Sequence, residues 1–174
     1  METNIKRQEQ KLSERMKREA VKLGLCAQWT EEWEKHTTKD DMVDKFVRGL
    51  DFCIEHDWPS TEVMKKEFGD VIHKHGIYVD ERVTKQNPSV MILNGHSDAS
   101  VMCDGYAASD IHVRHTSRLR LSVAGMAVVY VRVYDKAEVD VECIDSAKCY
   151  VYRYSGTVVA KGNTIVRERK KDKL

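Results

Sequence analysis

Two histidines and an aspartate near the middle of the chain have the side-chain chemistry of metal ligands. Asp70, His73 and His75 fall within six residues, and imidazole and carboxylate groups are common zinc ligands. On a helix, however, residues two positions apart point about 200° away from each other, and no third histidine lies close by in the sequence. We therefore predict a polar helix end, where His73 and Lys74 suit the helix dipole, and no metal site.

A second pair of histidines, His112 and His115, lies in a ten-residue repeat that covers the second half of the chain. In a coil of twenty residues, His115 would lie beside Asp135 and His112 beside Arg132. A His–Asp pair can orient a general base. The neighbouring hydroxyl of Ser117 occupies a turn position that recurs in the other units, so the pattern favours a solvated turn over a catalytic dyad.

The five cysteines indicate a reducing compartment rather than a disulfide framework, because no two of them form a CxxC pair. They are Cys26, Cys53, Cys103, Cys143 and Cys149. Cys143 and Cys149 replace valine at inward positions of the repeat, where burial makes a thiol a poor nucleophile. The sequence contains no Gly-rich phosphate loop and no GxSxG, HExxH or EF-hand pattern. We expect a cytoplasmic protein with no catalytic residue, no metal and no cofactor, which argues against an enzyme.

The composition sets limits on the class of protein. The chain has 174 residues, of which 41% are hydrophobic and 33% charged, and this is enough to bury a core. Its apolar runs of four to six residues are too short for a membrane-spanning helix, and its polar first 22 residues predict no secretory signal. The net charge of +1 gives no overall attraction to nucleic acid or to a membrane.

The periodicity changes near residue 85, which predicts two domains. Before this point apolar residues recur with helical spacing, and after it they alternate and are often β-branched. We assign 1–84 to a small helical bundle, 85–90 to a connector, 91–166 to a β-domain and 167–174 to a charged tail. The predicted fold class is therefore α+β.

Four helices are predicted in the first half. They cover residues 4–23, 27–36, 38–54 and 60–76. The third is the clearest, because Thr38 suits an N-cap and the apolar residues from Met42 to Ile54 mark a single face. In the second, Trp29 and Trp33 lie four residues apart on one face.

The third and fourth helices, joined by the short turn at 56–59, also fit a helix-turn-helix. Lys65, Lys66 and Lys74 lie on the second helix of this pair. Residues 1–89, however, carry 16 Lys and Arg against 18 Asp and Glu, and this net charge of −2 lacks the basic footprint of phosphate contacts. A nucleic-acid-binding regulator that uses the helix pair at 41–76 is the alternative function.

The second half contains seven ten-residue units between about residues 91 and 160. When the sequence is written in tens from residue 111, the first, third and ninth positions are apolar and the seventh is small. The first position is Ile111, Leu121, Val131, Val141 and Val151. The ninth is Leu119, Val129, Val139, Cys149 and Val159. Because these positions alternate, each unit is predicted to hold one strand with its apolar side inward, followed by a turn.

Two architectures fit this spacing. An antiparallel β-sandwich has strands at intervals of roughly 8–12 residues. In a parallel β-solenoid with two strands per coil, each position stacks on itself coil after coil, so the residue types have to repeat. We therefore predict a short parallel β-solenoid after the helical bundle, with the antiparallel β-sandwich as the alternative. Arg153 and Lys161 interrupt the inward pattern and mark the expected end of the stack.

Five of the seven tyrosines fall within 25 residues of this region. At twenty residues per coil, Tyr130 is expected to stack on Tyr150 and Tyr134 on Tyr154, as exposed ladders. Tyrosine and arginine are enriched at binding hot spots, although tyrosine is also a favoured strand residue. The predicted interaction surface consists of Tyr130, Arg132, Tyr134, Tyr150, Tyr152 and Tyr154.

The ten-residue period, the small corner residues and the stacked valines resemble short bacterial β-solenoids, such as bactofilin-type polymerising proteins and adhesin-head repeat domains. This resemblance covers residues 91–160 and rests on the repeat, so it implies a fold but transfers no functional residue. The stretches GLDFCIEHDWPS at 49–60 and HKHGIYVDE at 73–81 are similar to uncharacterised proteins of gut anaerobes, some of them prophage-encoded, which implies no activity.

These features predict a non-enzymatic assembly or protein-interaction module. The helical half would be an adaptor that caps the first coil, and the solenoid a rigid platform. Because a solenoid end exposes unpaired strand edges, the far coil near 151–166 is the expected contact with another copy. The tyrosine-rich face is expected to bind the same protein or another protein, and no membrane contact is expected. An enzyme with its site at the junction of the two halves is the third alternative.

Overall fold

The computed structural model describes residues 2–33 and 37–170, and the chain divides into two compact units, Met1–His75 and Gly76–Leu174. The first unit is helical, and the second is a β-solenoid in which every strand pairing is parallel. The predicted class, helices followed by a parallel β-solenoid, is confirmed. The alternative antiparallel sandwich is wrong.

The helical unit is built from short helices around an aromatic and aliphatic core. Its described elements are α1 (Glu2–Lys22), α2 (Ala27–Glu31), α3 (Lys39–Arg48), α4 (Leu50–His56), α5 (Thr61–Val63), the π-helical segment Met64–Phe68 and α6 (Val71–Lys74). In the core, Phe46 meets Phe68 edge-on with ring centroids 5.3 Å apart. The indole N–H of Trp33 donates to Ser13 Oγ at 2.8 Å. The end of the predicted second helix, residues 34–36, lies outside the described residues. None of the described helices is long and apolar enough to cross a membrane.

Two of the predicted helices are interrupted at glycine. Gly49, with φ −101° and ψ 33°, separates α3 from α4, and glycine is the weakest helix former after proline. The predicted fourth helix is divided into α5, the π-helical segment and α6, with Gly69 at φ +52°. Thr38 caps α3 as predicted, through reciprocal hydrogen bonds with Asp41 that lower the pKa of this carboxyl.

The solenoid alternates its strands between two parallel sheets. The described strands are β1 (Ile77–Val79), β2 (Arg82–Gln86), β3 (Val90–Asn94), β4 (Asp98–Cys103), β5 (Ala108–Val113), β6 (Arg118–Val123), β7 (Val128–Val133), β8 (Glu138–Cys143), β9 (Lys148–Arg153), β10 (Thr157–Gly162) and β11 (Thr164–Glu168). One sheet has the order β1-β3-β5-β7-β9-β11 and the other β10-β8-β6-β4-β2. Each coil therefore gives one strand to each sheet, over about four turns.

The core of the solenoid consists of columns of apolar side chains between the two sheets. Leu119 pairs with Val139, and Val131 with Val151, each twenty residues further along the chain. All four are buried, and full burial of one such side chain stabilises the fold by about 1.5–3 kcal/mol. The inward positions predicted for the middle units are confirmed.

The two sheets begin earlier in the chain than the ten-residue repeat. β1 pairs with β3, with Ile77 opposite Ile92, and β2 pairs with β4. The periodicity assigns both strands to the helical bundle and the connector, whereas the structure places them in the solenoid from Ile77 onward. They are short and lack the repeat, and for this reason the pattern in tens does not detect them.

The last coil is shorter than the repeat, because paired residues are 19 positions apart at β10 (Val139 and Val158) and 15 apart at β11 (Val151 and Val166). Four residues separate β8 from β9, whereas only three separate β9 from β10. Because side chains alternate along a strand, the missing residue exchanges the two faces of β10. Val158 pairs with Val139 and packs against the core, while Val159 pairs with Asp140 and is 50% exposed. The predicted inward position of Val159 is wrong.

Candidate functional site

The corners of the solenoid place His115 next to Asp135, but not in the geometry of a catalytic dyad. His115 has a left-handed backbone with φ 55°, and its backbone N–H donates to the Asp135 carboxylate at 3.0 Å. Its Nδ1 accepts a hydrogen bond from the N–H of Gly95 at 2.9 Å. The His115 imidazole and the Asp135 carboxylate thus each accept a hydrogen bond from a backbone N–H of the preceding coil. These bonds hold successive corners together, which is a structural role.

His112 lies beside Arg132, as predicted, in a polar cluster on the six-stranded sheet. Its Nε2 is 3.5 Å from the Asp110 carboxylate and 3.4 Å from the Arg132 guanidinium, and Arg132 also pairs with Asp110. Burial favours a higher pKa for Asp110, but the hydrogen bond and charge of His112, together with Arg132, lower the pKa overall. The charged carboxylate therefore holds Arg132 against the sheet.

The candidate metal ligands of the helical unit have separate partners. His73 Nδ1 is 3.8 Å from Asp70, whereas His75 Nε2 is 3.2 Å from Asp40, which Lys74 also approaches to 3.9 Å. Across residues 2–33 and 37–170, no group of three or more His, Cys, Asp or Glu side chains could hold a metal ion. The two imidazoles therefore lie beside different carboxylates and do not converge on one point.

Four of the five cysteines fill space in the two cores. Cys53, Cys103, Cys143 and Cys149 are buried free thiols, and Cys26 is exposed. Burial raises the pKa of Cys103 and Cys143, and burial with the neighbouring thiols raises the pKa of Cys149 to about 12. A protonated thiol is a weak nucleophile, so these side chains serve packing rather than catalysis.

Two aromatic ladders run across the coils at the predicted places. The rings of Tyr130 and Tyr150 stack with centroids 5.4 Å apart, and those of Tyr134 and Tyr154 with centroids 4.8 Å apart. Tyr130 is 40% exposed, but Tyr134 is only 1% exposed and also stacks on His112. The expectation that both ladders are exposed is therefore wrong at Tyr134, whose ring is covered by neighbours on successive coils.

An open groove of about 640 Å³ lies beside these ladders. It is lined by Tyr130, Arg132, Tyr152, Tyr154, Glu168, Arg169 and Lys170. The guanidinium carbons of Arg132 and Arg169 are 5.8 Å and 5.1 Å from the centre of the Tyr152 ring, which is the geometry of cation–π contacts. Four of the six predicted interaction residues thus share one groove.

Sequence reasoning missed Glu168, Arg169 and Lys170, which it assigned to a solvated tail. β11 pairs in parallel with β9 as far as Glu168, and the N–H of Arg169 then donates to the carbonyl of Arg153 at 2.8 Å. The run of three β-branched residues at 164–166 is the signal that could have identified this strand, because such residues favour strands.

The last coil leaves core positions uncovered. Val166 is in register with Val151, yet Val166 is 40% exposed and Val151 is fully buried. Ala160, in register with Val141, is also exposed. Within the described part of the chain, β10 and β11 are the terminal strands of their sheets, so their outer backbone groups have no strand partner there. At the opposite end, the three side chains of β1 are buried.

The helix pair at 41–76 does not provide two continuous helices. α5 has only three residues, and the π-helical segment that follows it ends before Gly69. In the connecting turn, Trp58 packs edge-on against Phe46 and Phe52, with centroids 5.4 Å and 6.0 Å away. A recognition helix needs a continuous face toward the major groove, so this geometry does not favour the helix-turn-helix interpretation.

Comparison with known proteins gives no match: no protein family, no curated protein and no solved structure matches the chain. The structure itself is a β-solenoid of about four turns, as the repeat predicts. The resemblance to bactofilin-type and adhesin-head families, and to proteins of gut anaerobes, gains no support from these comparisons.

Proposed function

We propose that the chain is a non-enzymatic assembly module, in which two copies join through the last coil of the solenoid and the helical unit serves as an adaptor. The uncovered core at this end carries the proposal. Val166 continues the column of Val131 and Val151, which are fully buried, but is itself 40% exposed. In a solenoid such a position is covered by the next coil, and here a second chain can take the place of that coil.

The strand at this end is compatible with pairing to its own copy. If two copies meet so that β11 runs antiparallel to β11, with Val166 opposite Val166, then Ile165 faces Arg167 and Thr164 faces Glu168. No like charges then lie opposite each other, and like charges in that position would be destabilising. The exposed side chains of Val159 and Ile165 add apolar surface beside the contact.

The two ends of the solenoid differ, and this difference predicts the size of the assembly. A head-to-tail contact that propagates into a filament needs two open, complementary ends. In the six-stranded sheet, the three side chains of β1 are buried, whereas every described side chain of β11 is at least partly exposed. In the five-stranded sheet, the terminal strand β2 is exposed except at the half-buried Val83, so the difference between the ends rests on the six-stranded sheet. A contact between two identical ends closes with two copies, so we expect a dimer and not a filament.

Light scattering behind a sizing column, at a low and a high protein concentration, tests this proposal. The chain has a mass of 20.1 kDa, and the high concentration is expected to give twice this value. Val166→Asp should stay at the mass of one chain with an unchanged circular dichroism spectrum, because an unpaired carboxylate is costly to bury in the contact. Met126→Asp is the matched control, since Met126 is also exposed but lies in a corner between inner strands.

A single-chain mass at both concentrations would contradict the proposal, and so would a dimer that Val166→Asp leaves intact. A mass that keeps rising with concentration would retain the assembly function but refute the closed dimer.

A further inference from the structure

The groove beside the tyrosine ladders carries an excess of positive charge. Two charged side chains of the groove are neutralised by residues outside it. Arg132 pairs with Asp110, and Glu168 pairs with Arg153. Arg169 and Lys170 have no carboxylate partner among the described residues. The groove therefore presents two uncompensated cations.

The aromatic rings of the groove are held by one another and by arginine. Tyr130 stacks on Tyr150, and Tyr154 stacks on the buried Tyr134. The ring of Tyr152 is contacted by the guanidinium groups of Arg132 and Arg169. One face each of Tyr130 and Tyr154 is therefore stacked, and beside these rings the groove offers phenol hydroxyls, a guanidinium and an ammonium, which can all donate hydrogen bonds.

From this geometry we propose that the groove binds an extended acidic segment of a partner protein. Carboxylates are acceptors that match guanidinium and ammonium donors. On one side of an extended peptide, alternate side chains are about 6.8 Å apart, which equals the spacing of outward residues along a strand of the solenoid. Binding of single-stranded nucleic acid depends on bases that stack on free aromatic faces. Tyr152 is less suited to this because two arginines contact its ring, and the two uncompensated cations match carboxylates, so an acidic peptide is the favoured ligand.

This site adjoins the proposed dimer contact, because Glu168 lines the groove and also ends β11, but its tyrosines lie outside that contact. Tyr130 and Tyr152 occupy outward positions on β7 and β9, whereas the dimer contact uses the free edges and the uncovered core of β10 and β11. The two proposals are tested by different measurements: the mass of the chain tests the dimer, and peptide binding to the wild type and to Val166→Asp, which is expected to be a monomer, tests the groove.

Fluorescence anisotropy with a labelled peptide of alternating glutamate and serine, at low salt, tests the proposal. A peptide with glutamine in place of glutamate and a single-stranded oligonucleotide of equal charge serve as competitors. Reversing two cations in Arg169→Glu/Lys170→Glu should raise the Kd by at least about tenfold. The matched control is Lys6→Glu/Arg7→Glu, which makes the same change in net charge on the exposed part of α1 and should leave the Kd unchanged.

Tyr152 is assigned as a positioning residue for the two arginines. Tyr152→Leu should raise the Kd about threefold by removing a cation–π contact, and Tyr152→Phe should restore binding because the ring face is kept. The proposal is overturned if the acidic peptide does not bind at low salt, if the glutamine peptide competes equally well, or if both double variants lose binding to the same degree. Tighter binding of the oligonucleotide than of the peptide would also overturn it and would assign the groove to nucleic acid.

Discussion

The middle coils and the last coil of the solenoid contribute to the same inward column of side chains but differ in what covers it. Val131 and Val151 are fully buried, because a strand lies on each side of them in the sheet. Val166 continues the same column and is 40% exposed. The comparison shows that burial in a repeat protein is decided by the neighbouring coils as much as by the residue, so the end of a repeat is a natural binding surface.

The corners of the two regions differ as well. In the middle coils, Asp135 and Asp145 take up left-handed conformations, with φ of 56° and 58°. Their carboxylates accept hydrogen bonds from the preceding coil, as at the N–H of Gly125 at 3.1 Å. The shorter last corner needs glycine: Gly156 has φ +78°, and a Cβ there would lie 2.4 Å from the carbonyl oxygen of Ala137. The regular corners are thus closed by an aspartate side chain, whereas the shortened corner depends on a residue without a side chain at Gly156.

The largest expected effect contrasts the same substitution in the two regions. Val131→Ala should lower the free energy of unfolding by about 2–3 kcal/mol, because it removes two buried carbons and leaves a cavity. Val166→Ala should cost less than about 1 kcal/mol, because its side chain is already partly in water. Urea unfolding followed by circular dichroism, at a concentration where the chain is a monomer, measures both. Equal losses would show that Val166 is covered within one chain.

A second contrast concerns glycines at corners. A Cβ at Gly162 would lie 1.9 Å from the Cys143 carbonyl oxygen, whereas at Gly105 it would meet nothing within 4 Å; both residues have positive φ. Gly105→Ala should therefore cost only the left-handed strain of about 1 kcal/mol, and Gly162→Ala about 2 kcal/mol, because β10 must also move. Hydrogen exchange of the β10 amides distinguishes them: only Gly162→Ala should speed exchange there. Similar exchange in both variants would contradict the steric argument.

A smaller effect on stability is expected from Cys149, which replaces valine in the buried column that contains Val129. The native pKa of Cys149, about 12, lies above its ordinary value of 9.0, so the unfolded chain releases a proton first as the pH rises. Stability is thus lost above pH 9, by about 1 kcal/mol per pH unit near pH 10. Cys149→Val restores the residue type of Val129 and Val139. It should remove this part of the decline in the free energy of unfolding, measured by urea unfolding between pH 8 and pH 10. Parallel curves for the two proteins would refute the buried-thiol interpretation.

The smallest effects are expected from surface ion pairs, which should not distinguish the two regions. Arg118 pairs with Glu138 at 3.0 Å between middle coils, and Arg153 pairs with Glu168 at 2.9 Å in the last coil. Because these side chains are well exposed, Arg118→Gln and Arg153→Gln should each change the unfolding free energy by at most about 0.5 kcal/mol, and less at high salt. A loss above 1 kcal/mol at Arg153 alone would show that the last coil depends on this pair.

The repeat by itself determined the solenoid, the coil of twenty residues and the stacking of Tyr130 on Tyr150. Parallel in-register stacking brings each position against the same position of the next coil, so a period in the sequence specifies contacts between distant residues. The helical half has no such period. For this reason the helical spacing of its apolar residues predicted helices but not the interruptions at Gly49 and Gly69, which depend on local conformation and packing.

Tertiary structure alone decided which surfaces are open. The face of Val159 depends on one missing corner residue, which a pattern written in tens cannot register. The burial of Tyr134 depends on His112, which lies 22 residues earlier, and the groove depends on where β11 delivers Arg169. Exposure is a property of neighbours in space, and a repeat specifies those neighbours only where it continues without interruption.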